Sequence, residues 1–83
     1  MKKKLIDLKE HERGILDSFD ETSLSPEFIH DLMDHGLLPG SEIRVIHRSS
    51  FQNKILLGIG PAEIALRDHD AEFIKIRTGQ IET

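Results

Sequence analysis

Histidine and carboxylate are the side chains in this sequence whose types and spacing could do chemistry, because together they bind divalent metals and move protons near neutral pH. The chain has five histidines and no cysteine. His30 with Asp34, and Asp31 with His35, stand four residues apart in a stretch that reads as helix, so each imidazole can meet a carboxylate on one helix face. That face lies away from the apolar residues of the same stretch, and solvated surface pairs are the expectation. His69, between Asp68 and Asp70, could also touch a metal, although three consecutive turn residues seldom converge on one ion. No zinc-ligand spacing is present, so no metal site is assigned; His30, Asp34, His35 and His69 are the weak candidates to which metal binding would fall.

Other chemistries find less support. The serines at 18, 23, 25, 41, 49 and 50 lack the strand-elbow glycines that expose a nucleophile. General acid–base work needs two carboxylates fixed in a cleft, and nothing in the pattern provides one. Gly58-Ile59-Gly60 lacks the third glycine and following helix of a dinucleotide loop, and no phosphate-loop sequence occurs. The expectation is a non-catalytic chain with no cofactor. Phe51 and Phe73, with Lys54, Lys75 and Arg77, could stack on bases and contact phosphate, so single-strand nucleic-acid binding stays as an alternative. Fifteen acidic residues against eleven basic ones, a formal net charge of −4, argue against a nonspecific phosphate-backbone binder, although a local basic patch could survive that balance.

The histidine pairs need a helix, and the sequence marks its limits. Ser25 reads as the N-cap, Pro26 as the first helical residue and Glu27 as an acid at the positive end, with Leu24 and Ile29 placed as a hydrophobic staple. The helix is expected over Pro26 to His35, burying Phe28, Ile29, Leu32 and Met33. Gly36 can end it in a left-handed conformation, and Pro39-Gly40 suits the centre of a type II turn. At least one of Leu37 and Leu38 should return to the core. Ile43 and Val45 then alternate at strand period.

Around this unit the pattern is one of short strands. Leu5 and Leu8 suggest a short entry segment or helical turn, and Ile15 to Phe19 a first strand with Gly14 at its start. Arg48 to Lys54 reads as a polar connection in which Phe51 plugs the open end of a barrel or, as the alternative, is presented to a partner. Ile55 to Ile59 is a strand in which Gly58 permits curvature or a bulge, ended by Gly60-Pro61. Glu63 to Arg67 alternates with Ile64 and Leu66 on one face, Arg67 to Asp70 is a turn, and Ala71 to Arg77 closes the set with Ile74 and Ile76 inward. Thr78 to Thr83 reads as a tail that only Ile81 could anchor.

These elements define a mainly β fold, a small strongly curved barrel of about five strands with one short helix inserted before the Gly-Leu-x-Pro-Gly corner. At 83 residues it is a single domain spanning 1–83. No stretch reaches the length of a membrane span, and Asp7 and Lys9 to Arg13 stand where a signal peptide would need apolar residues. A soluble cytoplasmic protein is expected, with Lys2 to Lys4 as a solvated, frayed terminus.

Ile29-His30-Asp31-Leu32-Met33-Asp34-His35-Gly36-Leu37-Leu38-Pro39-Gly40-Ser41-Glu42-Ile43-Arg44-Val45 resembles the signature region of the ferrous iron transport protein A family, FeoA. Glu63 to Arg67, Ala71 and Ile74-Lys75-Ile76 resemble that family's closing strands. The resemblance spans roughly Leu5 to Arg77 and implies an SH3-like small barrel. It places Leu32, Gly36, Leu37, Pro39 and Gly40 in the helix–corner motif, with Leu66 and Arg67 in the later strand motif. It further implies an accessory protein peripheral to the membrane, binding the cytoplasmic side of the FeoB-type ferrous iron transporter. His30, Asp34, His35 and Leu38 are then the candidates for partner contact. The same barrel forms the C-terminal module of iron- and manganese-dependent repressors, so a metal-responsive regulatory module is the alternative. Where the family carries a Gly/Pro-rich turn, this sequence has Ser49 to Lys54.

Overall fold

In the computed structural model, which describes residues 2–77, the helix starts as its sequence predicts. The Ser25 Oγ accepts from the Phe28 backbone N–H at 3.1 Å, and α1 runs Pro26–Asp34 with Pro26 in the first turn. Ile29 and Leu32 are buried, whereas Phe28 and Met33 pack only part-buried against the core, so α1 fully seats a narrower stripe than expected. The helix ends in a Schellman motif: Leu37 N–H donates to the Leu32 carbonyl at 3.0 Å and Gly36 N–H to the Met33 carbonyl at 2.9 Å. Gly36 carries the required positive φ of 97°.

Five strands follow the pattern in outline: β2 is Arg13–Phe19, β3 Glu42–Ser49, β4 Lys54–Ile59, β5 Ala62–Arg67 and β6 Ile74–Arg77. A sixth corrects the expectation of a frayed terminus. Lys2–Lys4 form β1, which pairs antiparallel with β6, and the chain then turns through a 3-10 segment at Leu5–Asp7. Among the described residues all pairings are antiparallel, in the order β1-β6-β2-β3-β4-β5. The exposed, charged Lys3 and Lys4 on this edge strand oppose pairing with another chain. The turn predicted at Arg67 to Asp70 is a short helix, α2, at Asp68–Ala71, and Ala71 is buried there rather than in the closing strand. This helix follows β5 and touches the 3-10 segment that follows β1, so the two ends of the sheet approach each other through these short elements. The result is a mainly β, strongly curved SH3-like fold.

Its core is continuous. Leu5, Leu16, Leu32, Leu37, Ile43, Val45, Ile55, Leu57, Leu66, Ile74 and Ile76 are all buried, and they come from five strands, α1, its corner and the 3-10 segment. Ile64 is only half-buried beside the buried Leu66, and Phe73, the ring offered for base stacking, packs part-buried against the core.

Three local expectations fail for identifiable reasons. Arg48 and Ser49 belong to β3, not to a loop. The pairing jumps between Val45↔Leu57 and His47↔Leu56, leaving Ile46 as a bulge, so the curvature assigned to Gly58 has its irregularity on the opposite strand. Phe51 does not plug a barrel end: it is 95% exposed at the tip of the β3–β4 connection. The expected tail, Thr78 to Thr83 with Ile81, lies outside the described residues.

Candidate interaction surface

The corner after α1 is held by hydrogen bonds that the turn chemistry requires. Ser41 N–H donates to the Leu38 carbonyl at 2.9 Å, closing the turn around Pro39-Gly40, and Gly40 has φ 92° as a type II turn demands. Gly40 N–H donates to the Leu16 carbonyl at 2.8 Å and Leu16 N–H to the Ser41 carbonyl at 2.9 Å, which fastens the corner to β2. Leu37 is fully buried, whereas Leu38, its neighbour, is 46% exposed. The corner therefore presents one apolar side chain to solvent from a backbone fixed on both sides.

Beside it the exposed face of α1 is polar. His30 Nδ1 lies 3.6 Å from Asp34 Oδ2, with both side chains well exposed. The second expected pair does not form through the carboxylate: His35 Nδ1 lies 2.8 Å from the Asp31 backbone carbonyl, where the ring N–H satisfies a carbonyl at the helix end. His69 Nε2 sits 3.4 Å from Asp70 Oδ1 on α2. Among the described residues no three His, Cys, Asp or Glu side chains gather as metal ligands would, so His30, Asp34, His35 and His69 are not brought to one point.

The structure adds a groove that the sequence pattern did not separate from the core. Leu24, Pro26, Ile29 and Met33 line an open cleft of about 360 Å³, with Glu21 and His30 at its rim. The signal lay in the helical position of Met33, which is too far around α1 to be buried with Leu32. The cleft is open and mostly apolar, with Glu21 and His30 the titratable groups that line it. No helix among the described residues is long and apolar enough to cross a membrane.

Fold and corner together define a small SH3-like β domain with a candidate contact surface built on one short helix and its glycine-proline turn. The FeoA domain model matches residues 3–78, and the chain belongs to that family. Among solved structures, the chain is similar to a FeoA protein from Chlorobium tepidum, with 25% identity, coverage of 92% of this chain and 70% of that one, and a TM-score of 0.83. An iron uptake regulatory protein (FeoA) matches at 21% identity over 93% of this chain and 96% of that one, with a TM-score of 0.75. A manganese-dependent transcriptional repressor shares the fold at 19% identity, with 93% of this chain but 41% of that one covered and a TM-score of 0.80. Comparison with curated proteins gave no match.

Proposed function

We propose that this chain is a non-catalytic accessory protein of ferrous iron uptake that binds the cytoplasmic side of the FeoB-type membrane transporter and modulates it. The observation that carries this reading is the FeoA family match over residues 3–78, which contains the whole helix–corner unit. An exposed Leu38 on a rigid turn, with the α1 cleft and the His30–Asp34 pair on the helix before it, supplies an apolar contact with a polar rim. Leu32, Gly36, Leu37, Pro39 and Gly40 shape that unit, and Leu38, His30, Asp34 and His35 meet the partner. Iron is the cargo of the transporter and has no resident site in this reading.

Ferrous iron uptake measured in cells with and without this protein, paired with co-purification of the two proteins, tests it. Uptake that changes and a complex that survives washing are expected; uptake and complex formation indifferent to this chain overturn it. The fold shared with a manganese-dependent repressor supports a second reading, a metal-responsive regulatory module. Anaerobic calorimetry with ferrous and manganous ions decides between them, since only the module gives saturable binding.

A further inference from the structure

The outer face of β3, β4 and β5 carries a pattern that the helix–corner surface does not use. Ile43, Val45, Ile55 and Leu57 point inward, which turns Arg44, Lys54, Leu56 and Gly58 to the other side of the sheet. A Cβ built on Gly58 would stand 2.7 Å from Arg44 Cζ, 2.9 Å from Nη2 and 3.0 Å from Nη1. The Arg44 guanidinium thus lies against the glycine backbone, in space that any other residue would occupy. Arg44 makes no ion pair among the described residues. Opposite it on β2 stands another cation, Arg13, which pairs with Glu42 at 3.7 Å.

A second cation pair lies further along the same face. Lys54 and Arg67 are directly opposed on β4 and β5, and neither has an ion-pair partner among the described residues. Like charges placed directly across strands cost stability unless an anion lies between them. Leu56, paired with Ala65, sits midway between the two cation rows. Residues two apart on one strand face are about 7 Å apart, so Arg44 above Gly58 and the Lys54–Arg67 pair are about 13 Å apart with an apolar patch between. The acids near this face are Glu63 opposite Gly58, Glu42 beside Arg13, and Asp68 beside Lys54 and Arg67; His47 on the same face is paired with Glu10 at 2.9 Å.

We propose that this face docks an extended acidic segment of a protein partner, with one carboxylate bound by the Arg44 guanidinium, an apolar residue on Leu56 and a second carboxylate between Lys54 and Arg67. Arg44, seated on Gly58, offers two parallel N–H donors to a carboxylate. Glu42, Glu63 and Asp68 around the rim, on a chain of net charge −4, repel a continuous phosphate backbone while leaving room for isolated carboxylates. The surface shares no residue with the α1 cleft or the Leu38 corner, and the inference stands whichever protein occupies that corner.

The test is a titration of the full chain with the acetylated peptide Glu-Ser-Leu-Ser-Glu, followed by NMR at the Arg44 Nε–H and the Gly58 amide. Saturable shifts at both are expected, and replacing the peptide's glutamates with glutamine should weaken binding about tenfold or more. Gly58→Ala displaces only the tip of a flexible side chain, so its spectrum should stay folded while peptide affinity falls about tenfold; Arg44→Gln should match it. Absence of saturable shifts overturns the proposal, as does equal binding of the glutamine peptide or undiminished binding by both variants. Stronger shifts with a single-stranded oligonucleotide than with the peptide also overturn it, because the face would then read phosphate.

Discussion

Arg48 Nη1 donates to the Ile6 carbonyl at 2.8 Å, joining β3 to the 3-10 segment across 42 residues of chain. The same nitrogen donates to the Leu8 carbonyl, so one guanidinium satisfies two carbonyls of the N-terminal segment where it leaves β1. These are charge-assisted bonds in a part-buried setting, and they hold in place a segment whose Leu5 and Leu8 belong to the core.

Arg48→Ala should therefore destabilise the domain by about 2 to 3 kcal/mol, and Arg48→Lys by less, since an ammonium can still reach one of the two carbonyls. Urea denaturation measures both. A loss no larger than that of an exposed arginine such as Arg44 would show that the N-terminal segment does not depend on this tie.

The two glycines of the corner separate backbone strain from packing. Gly40 has φ 92° and no atom within 4 Å of where a Cβ would stand, whereas Gly36, at φ 97°, has the Ile59 methyl 3.6 Å from that point. Gly40→Ala should cost about 1 to 2 kcal/mol from the left-handed backbone alone, and Gly36→Ala about the same, because 3.6 Å is ordinary contact. Thermal denaturation of the two variants should give matching shifts; a much larger loss at Gly36 would mean that the helix end tolerates no added atom.

Leu32 and Leu38 distinguish folding from partner contact. Leu32→Ala removes a fully buried side chain and should cost about 2 to 5 kcal/mol. Leu38→Ala, at a half-exposed position, should change stability by about 0.5 kcal/mol or less while, on the proposed function, reducing association with the transporter. Denaturant titration beside co-purification reads both quantities for each variant.

Glu10 ties stability to pH. Its carboxylate accepts the Arg48 backbone N–H at 2.8 Å and lies 2.9 Å from His47 Nδ1. The backbone hydrogen bond first, and then the charge on His47, hold its pKa below the usual carboxylate value. A depressed folded-state pKa gives stability that is present above the unfolded value of about 4.3 and is lost as pH falls through the folded value. Glu10→Gln should flatten the stability profile over that acid range; an unaltered acid limb would assign the loss to other carboxylates.

The parts of the fold legible in the sequence are those written in local chemistry. Ser25-Pro26 states a helix start, Gly36 an end and Pro39-Gly40 a turn, because each acts through its own backbone geometry. The exposure of Leu38 beside a buried Leu37 follows from that turn, so the corner of the candidate surface is legible as well. What is not legible depends on distant partners. Three lysines carry no strand signal, and Lys2–Lys4 become a strand only because β6 offers a pairing edge. Gly58 reads as a place for curvature, yet its missing side chain makes room for Arg44 from the neighbouring strand. Phe51 reads as a plug and is almost wholly in water, since it stands at the tip of the connection between two strands rather than over the core.

The unpaired Ile46 in β3 sets the phase of everything after it. Alternation resumes one residue late, so His47 and Ser49 turn to the outer face and Arg48 to the side that meets the N-terminal carbonyls. Were Ile46 taken into the ladder, His47 would point beneath the sheet and Arg48 into water. The strand thus carries one residue more than its ladder counts, and removing that surplus would leave every side chain downstream facing as it does now. Shortening the chain at this point should therefore cost local twist and little else, whereas a residue added there would have to widen the irregularity or swing the guanidinium away from the N-terminus.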